Sequence, residues 1–267
     1  MTVTQAQLQK YREWFREYCN SFADLTEQQI LKFQLKEKHS YKVVECASEI
    51  AAALGFTEAD KRIAEVIGLF HDLGRFEQIK RYDTFSDAAS MDHGDFGVTV
   101  VKQFNLLDGV DKETADIILE SIKYHNKFHL PDSDGTMSKR NLSFVKLIRD
   151  ADKVDIFRVI MEVFTDHGDD EANTIIIGLN TEDRISDKVF ADFMSDKIIH
   201  KKDVYYLNDY RVLILSWIHD INYAKTVELF VERHYFSIVA ETLPDGDYKN
   251  KIMEKLQSDI KKRLARQ

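Results

Sequence analysis

LFHDLGRFEQ, residues 69–78, sets a histidine and an aspartate side by side at the end of an apolar run, then adds a glycine and an arginine. The pair is either the polar end of an ordinary amphipathic helix or a pair of metal ligands. The same dipeptide recurs in WIHDINY, residues 217–223, so the dipeptide alone decides nothing. What separates the two copies is where the other histidines and aspartates fall.

Thr57-Glu58-Ala59-Asp60 reads as an N-cap with an acidic residue three on, opening a helix that runs to about Asp72. On it His71 follows Ile67 by four. Upstream, Val43, Val44, Ala47, Ile50, Ala51 and Leu54 recur at helical spacing over 39–54, and Gly55 suits the residue after the helix. His39 lies four residues before Val43, on the Ala47 face. A helix over 27–37 leads into it, and an aromatic amphipathic helix over 4–19 (Tyr11, Trp14, Phe15, Tyr18) packs on the main body.

Downstream, residues 74–91 read as an irregular loop rich in charge and aromatics. Helices follow over 93–105, opened by His93, and over 112–125, where a stripe through Ile118 and Ile122 (or Ser121) arrives at His125. The stretch HNKFHLPDSDGTMSKRN is a loop. A long helix then covers 141–164, its stripe running Val145, Ile148, position 152, Ile156 and Val159, and position 152 is Asp152. Beyond Asp166, HGDDEAN is a polar break and TIIIGLN a short strand or buried turn. The rest is helical, ending in a basic amphipathic helix of the kind that lies on a surface.

Imidazoles and carboxylates from five helical segments therefore point inward. Any one of them alone would be a hydrogen-bonded core residue. Together they are costly unless something meets them, because a buried carboxylate needs a cation or several donors, and a divalent metal would account for all of them. The bulk composition fits a soluble globular protein: 44% hydrophobic and 31% charged residues, with a net charge of −9. That charge argues against an extended nucleic-acid surface or an anionic membrane as partner. The two cysteines form no C-x-x-C pair, the N-terminus lacks the apolar core of a signal peptide, and no apolar run reaches spanning length. A cytoplasmic protein is expected, and a homodimer is compatible with the sequence.

HSYKVVECA, LFHDLGRF and LIRDADKVDI, which carry His39, His71-Asp72 and Asp152, closely resemble the HD-domain superfamily of metal-dependent phosphohydrolases over about residues 35–165. The resemblance implies an all-α helical bundle in which those four residues bind a divalent metal. A subset of the family adds two histidines and a second ion, and His93 and His125 stand where those additions fall. A binuclear site bridged by Asp72 is then expected. Residues 1–26 would be an N-terminal helix on the core, 27–165 the HD-domain core, and 166–267 a helical C-terminal extension of the same globular unit. There is no GYP signature after the HD pair and no HD-x-x-ED arrangement, which argues against two of the family's branches.

The implied activity is hydrolysis of a phosphomonoester or phosphodiester of a nucleotide or small metabolite by a metal-activated hydroxide, with Asp72 and Arg75 catalytic. Histidine-rich ligation favours Mn, Fe, Co, Ni or Zn over Mg. Arg75, one turn after the ligand pair, is the leading phosphate donor. Lys123 and Arg149 are further substrate contacts, and Lys80, Arg81 and Lys127 weaker ones. Asp150, Asp155 and Asp92 are candidates to orient ligand imidazoles. Phe76, Tyr82 and Phe85 either stack on a base or pack on the core. His129 is a substrate-contact candidate only, and His167, His200 and His234 are set aside. His219-Asp220 reads as a structural pair bracing the extension against the core. The same ligand set would also serve a di-iron oxygenase, or a ligand-binding sensor without turnover.

Overall fold

The computed structural model describes residues 2–131, 135–165 and 179–265. It divides into two compact units, residues 1–155 and 156–267, whereas the sequence pattern places the end of the core at 165. TIIIGLN and the polar break before it fall almost wholly outside the described residues. Among those described the fold is helical, with a single isolated bridge between Asn180 and Tyr206. No described helix is long and apolar enough to cross a membrane.

The first unit contains α1 (Gln5–Asn20), α2 (Glu27–Ala53), α3 (Glu58–Phe70), α4 (Leu73–Tyr82), α5 (His93–Gln103) and α6 (Lys112–Tyr124), together with the first part of α7 (Lys139–Thr165). Polar caps start most of these helices. Thr4 and Thr26 form capping boxes with Gln7 and Gln29, while Thr57, Asp92 and Asp111 each accept a backbone N–H. Gly55 follows α2 at φ 68°, a conformation that costs glycine little. The segments expected over 27–37 and 39–54 are one continuous helix, α2.

α2 packs along α3, α4 along α5, α5 on α6, and α3 on both α1 and α6. Tyr11 and Trp14 of α1 meet the edge of Phe70, and Phe15 meets Phe76, so the N-terminal helix closes an aromatic core.

Residues 73–82 are helix rather than the expected loop. Leu73, Phe76 and Ile79 of α4 are fully buried, and Asp83 ends it in the left-handed conformation. The buried face of α7 is also rotated from the predicted stripe. Phe144, Val145, Leu147, Ile148, Ala151 and Val154 are buried, whereas Ile156 is only half-buried. Asp155, as well as Asp152, faces inward.

The second unit holds the end of α7, then α8 (Asp187–Met194), α9 (Leu207–Ser216), α10 (Ala224–Glu232), α11 (Tyr235–Glu241) and α12 (Asp247–Leu264). Phe157, Trp217, Phe230, Tyr235 and Phe236 form its aromatic centre. His219-Asp220 lies in a 3-10 turn over Trp217–Asp220, not in a continuous helix.

Candidate metal centre

His39 projects from the middle of α2, and His71 caps the C-terminus of α3. His93 is the first residue of α5, His125 caps the C-terminus of α6, and Asp152 comes from α7. The four imidazoles form two pairs, and the members of each pair are 32 residues apart in sequence. His39 Nε2 and His71 Nε2 lie 3.3 Å apart, and His93 Nε2 and His125 Nε2 lie 3.0 Å apart.

Asp72 stands between the pairs. Its Oδ2 faces His39 and His71 at 3.6 and 3.5 Å, and its Oδ1 faces His93 and His125 at 3.4 and 3.6 Å. Asp152 Oδ1 completes the first pair at 3.0 Å from His39 and 3.7 Å from His71. All six expected ligands thus converge. All are buried except Asp152, whose side chain is 16% exposed.

The outer nitrogens of the imidazoles are committed elsewhere. His71 Nδ1 donates to the Gly68 carbonyl and His125 Nδ1 to that of Ile122, both at 2.7 Å. His39 Nδ1 bonds Asp155 at 2.7 Å, and His93 Nδ1 bonds both oxygens of Asp87 at 2.6 and 2.8 Å. A neutral imidazole has one N–H. With Nδ1 donating, the facing Nε2 atoms carry lone pairs and repel at 3.0–3.3 Å. A cation between them removes that repulsion, so the donor set fits divalent metal. Two of the compact donor groups are His39/His71/Asp72 and Asp72/His93/His125, and neutral imidazole with carboxylate suits Mn, Fe, Co, Ni or Zn.

Without a metal the site relies on its own charges. Burial would raise the Asp72 carboxyl, but Lys36 and the neighbouring imidazoles outweigh it and hold it well below the usual range. Asp152 is depressed in the same way by His39 and His71. Burial and Lys36 oppose a charge on His39, yet hydrogen bonds to Asp152 and Asp155 raise its pKa. His93 goes the other way, lowered to about 4 chiefly by burial despite Asp87.

Lys36 is a site residue that the sequence motifs do not reveal. Its Nζ lies 2.7 Å from Asp72 Oδ2, with 15% of its side chain exposed. The available signal is its place one turn before His39 on the same helix. Arg75 Nε lies 3.7 Å from Asp72 Oδ1, and its hydrogen bonds leave from Nη1 to Gln78, the Phe85 carbonyl and Asp87. The Phe85 ring is flanked by Lys36 and Arg75, Phe76 is core, and Tyr82 is exposed.

The other expected substrate cations are placed differently. Arg149 is buried and donates to the carbonyls of Tyr124, His125 and Lys127, bracing the end of α6. Lys123 is exposed and lies over the Tyr124 ring. Of the expected orienting carboxylates, Asp155 holds His39. Asp92 instead caps α5 and accepts from Asn126 and Lys127, and Asp150 is fully buried. Asp87, which does hold His93, escapes sequence reasoning because it lies in a stretch with no periodicity.

Three glycines permit this convergence. A Cβ on Gly74 would come within 2.2 Å of the His93 carbonyl oxygen and 2.8 Å of Gly97 N. One on Gly94 would meet Asn126 at 2.6 Å, and one on Gly97 would meet Ile122 at 3.0 Å. α4, α5 and α6 approach closely only because these side chains are absent.

No curated protein and no solved structure matches the chain. The family model of the HD domain matches residues 37–156, a span that begins just before His39 and ends just after Asp155. With both the motif and the helical bundle in place, residues 37–156 are identified as an HD domain.

Proposed function

We propose that the protein is a metal-dependent phosphohydrolase that cleaves a phosphomonoester or phosphodiester of a nucleotide or small metabolite at a two-ion site. The observation that carries this reading is the division of Asp72, one carboxylate oxygen toward each histidine pair. His39, His71 and Asp152 would hold one ion, His93 and His125 the other, and Asp72 would bridge them. Two such ions would lower the pKa of a water to near neutrality and offset the charge developing at phosphorus.

The chain's own residues supply the remaining roles. Lys36 and Arg75 are the cations nearest the bridging carboxylate and suit phosphate oxygens that the ions leave unmet. Phe85, whose ring lies near both cations, would form one wall. The burial of the ligands excludes bulk water, which strengthens each electrostatic contact. A cytoplasmic location is part of this proposal.

Hydrolysis of p-nitrophenyl phosphate and of its bis-ester with added manganese tests it. Activity abolished by Asp72→Ala is the expected result. No turnover of any phosphate ester, together with a coupled mixed-valent di-iron signal after aerobic purification, would replace the hydrolase with an oxygenase.

A further inference from the structure

We propose that Asp87 is the positioning residue of the second ion's subsite and sets that ion's affinity through His93. The inference rests on the two-ion reading above. Each histidine pair has one imidazole backed by a carbonyl, His71 on Gly68 and His125 on Ile122, and one backed by a carboxylate, His39 on Asp155 and His93 on Asp87. A carboxylate on the far nitrogen fixes the tautomer and makes the facing Nε2 a stronger donor. The two subsites therefore share a plan but differ in how the carboxylate is held.

Asp155 is 2% exposed and sits on α7, three residues from the ligand Asp152. One helix thus carries both the ligand and the backing group. Asp87 belongs to the short turn Asp87–Ala89, and its side chain is 30% exposed. It is fixed by donors from two other segments: Arg75 Nη1 at 3.0 Å, Gln78 Nε2 at 2.9 Å and Asn126 Nδ2 at 3.1 Å. Gln78 also bonds Ser90 Oγ and the Met91 carbonyl, tying the turn to α4. Arg75 thereby reaches the metal centre through Asp87 as well as directly. Holding Asp87 is a geometric duty for Arg75, distinct from any contact with substrate.

The test is metal binding by the full-length, chelator-stripped chain. Manganese(II) is added by equilibrium dialysis, bound metal is counted, and its EPR spectrum is recorded. The wild type is expected to take two equivalents and show a spin-coupled pair. Asp87→Asn should keep one equivalent with unchanged affinity and lose affinity for the second by about 10- to 100-fold, leaving an uncoupled spectrum. Adding Asp87→Asn to His93→Gln should change metal binding little further. Added to Asp155→Asn, the same change should weaken both ions.

Two equivalents with wild-type affinities and a coupled spectrum in Asp87→Asn would overturn the proposal and leave the two-ion reading intact. A wild type that takes no more than one equivalent would overturn both. Should Asp87→Asn fail to fold, Asp87→Ser gives the same test: selective loss of the second ion supports the proposal, and full retention overturns it.

Discussion

His71-Asp72 and His219-Asp220 share a dipeptide and an apolar run before it, but the two pairs do different work. Asp72 is buried among four imidazoles and the Lys36 ammonium. His219 Nδ1 lies 3.7 and 4.0 Å from Asp196 and Asp259, its ring meets Phe193, and its carbonyl accepts from Arg263. Lys255 bridges Asp196 and Asp259, so this acidic cluster already has its cation. The described partners of His219 all lie within 156–267. These contacts brace the second unit internally. A motif acquires chemistry from what meets it, and only the first pair meets a set of facing imidazole lone pairs.

The largest effect should come from breaking the first pair. Asp72→Ala removes the group facing both histidine pairs, and phosphodiester hydrolysis with manganese should fall on the order of a thousand-fold or more. His219→Ala should leave the rate within about two-fold, and an equal loss in both variants would erase the distinction between the pairs.

Next comes the second position after each dipeptide. Gly74→Ala places a methyl against the backbone of α5, which cannot yield as a flexible side chain would. It should cost about 3 kcal/mol in urea unfolding. Asn222 is exposed, and Asn222→Ala should cost less than about 0.5 kcal/mol.

The third prediction concerns pH in the metal-stripped chain. The folded pKa of His93, about 4, is below its unfolded value. Its contribution is fully present above the unfolded pKa and is lost as pH falls toward 4. The His39 pKa is raised, so its contribution is present below the unfolded pKa and lost as pH rises through the folded one. Unfolding midpoints should peak near the ordinary histidine pKa, about 6.5. His93→Gln should flatten the acid limb and His39→Gln the alkaline limb. His219, also lowered by burial, adds to the acid limb, and an acid limb carried wholly by His219 would contradict this assignment.

The smallest effect belongs to the second pair. His219→Ala should lower stability by about 1 kcal/mol through lost packing, with no change in bound metal.

Much of the candidate metal centre is legible along the chain. His39, His71, His125 and Asp152 each fall at a turn's spacing from buried aliphatic residues, and a buried face is what helical spacing reports. α4 is not legible, for a reason tied to the candidate site. Asp72 occupies its N-cap but makes no capping bond, because its carboxylate is turned toward the imidazoles. α3 also ends at Phe70 and α4 begins at Leu73, which leaves no room for the usual punctuation. Asp87 and Gln78 lie in the same stretch, which reads as a loop. Lys36 is readable as a neighbour of His39, but its partner 36 residues away is not.

The sequence by itself determined the helical bundle, the identity and order of the six residues that converge, and the HD motif that four of them carry. All of these follow from local periodicity and a motif read along one dimension. Only the tertiary structure decided which oxygen of Asp72 faces which histidine pair, which carboxylate stands behind each imidazole, and which cations reach the centre. Those facts depend on how closely helices approach. That is set by packing between faces distant in sequence, here by the side chains missing at Gly74, Gly94 and Gly97, and spacing along the chain names a face without saying what it will meet.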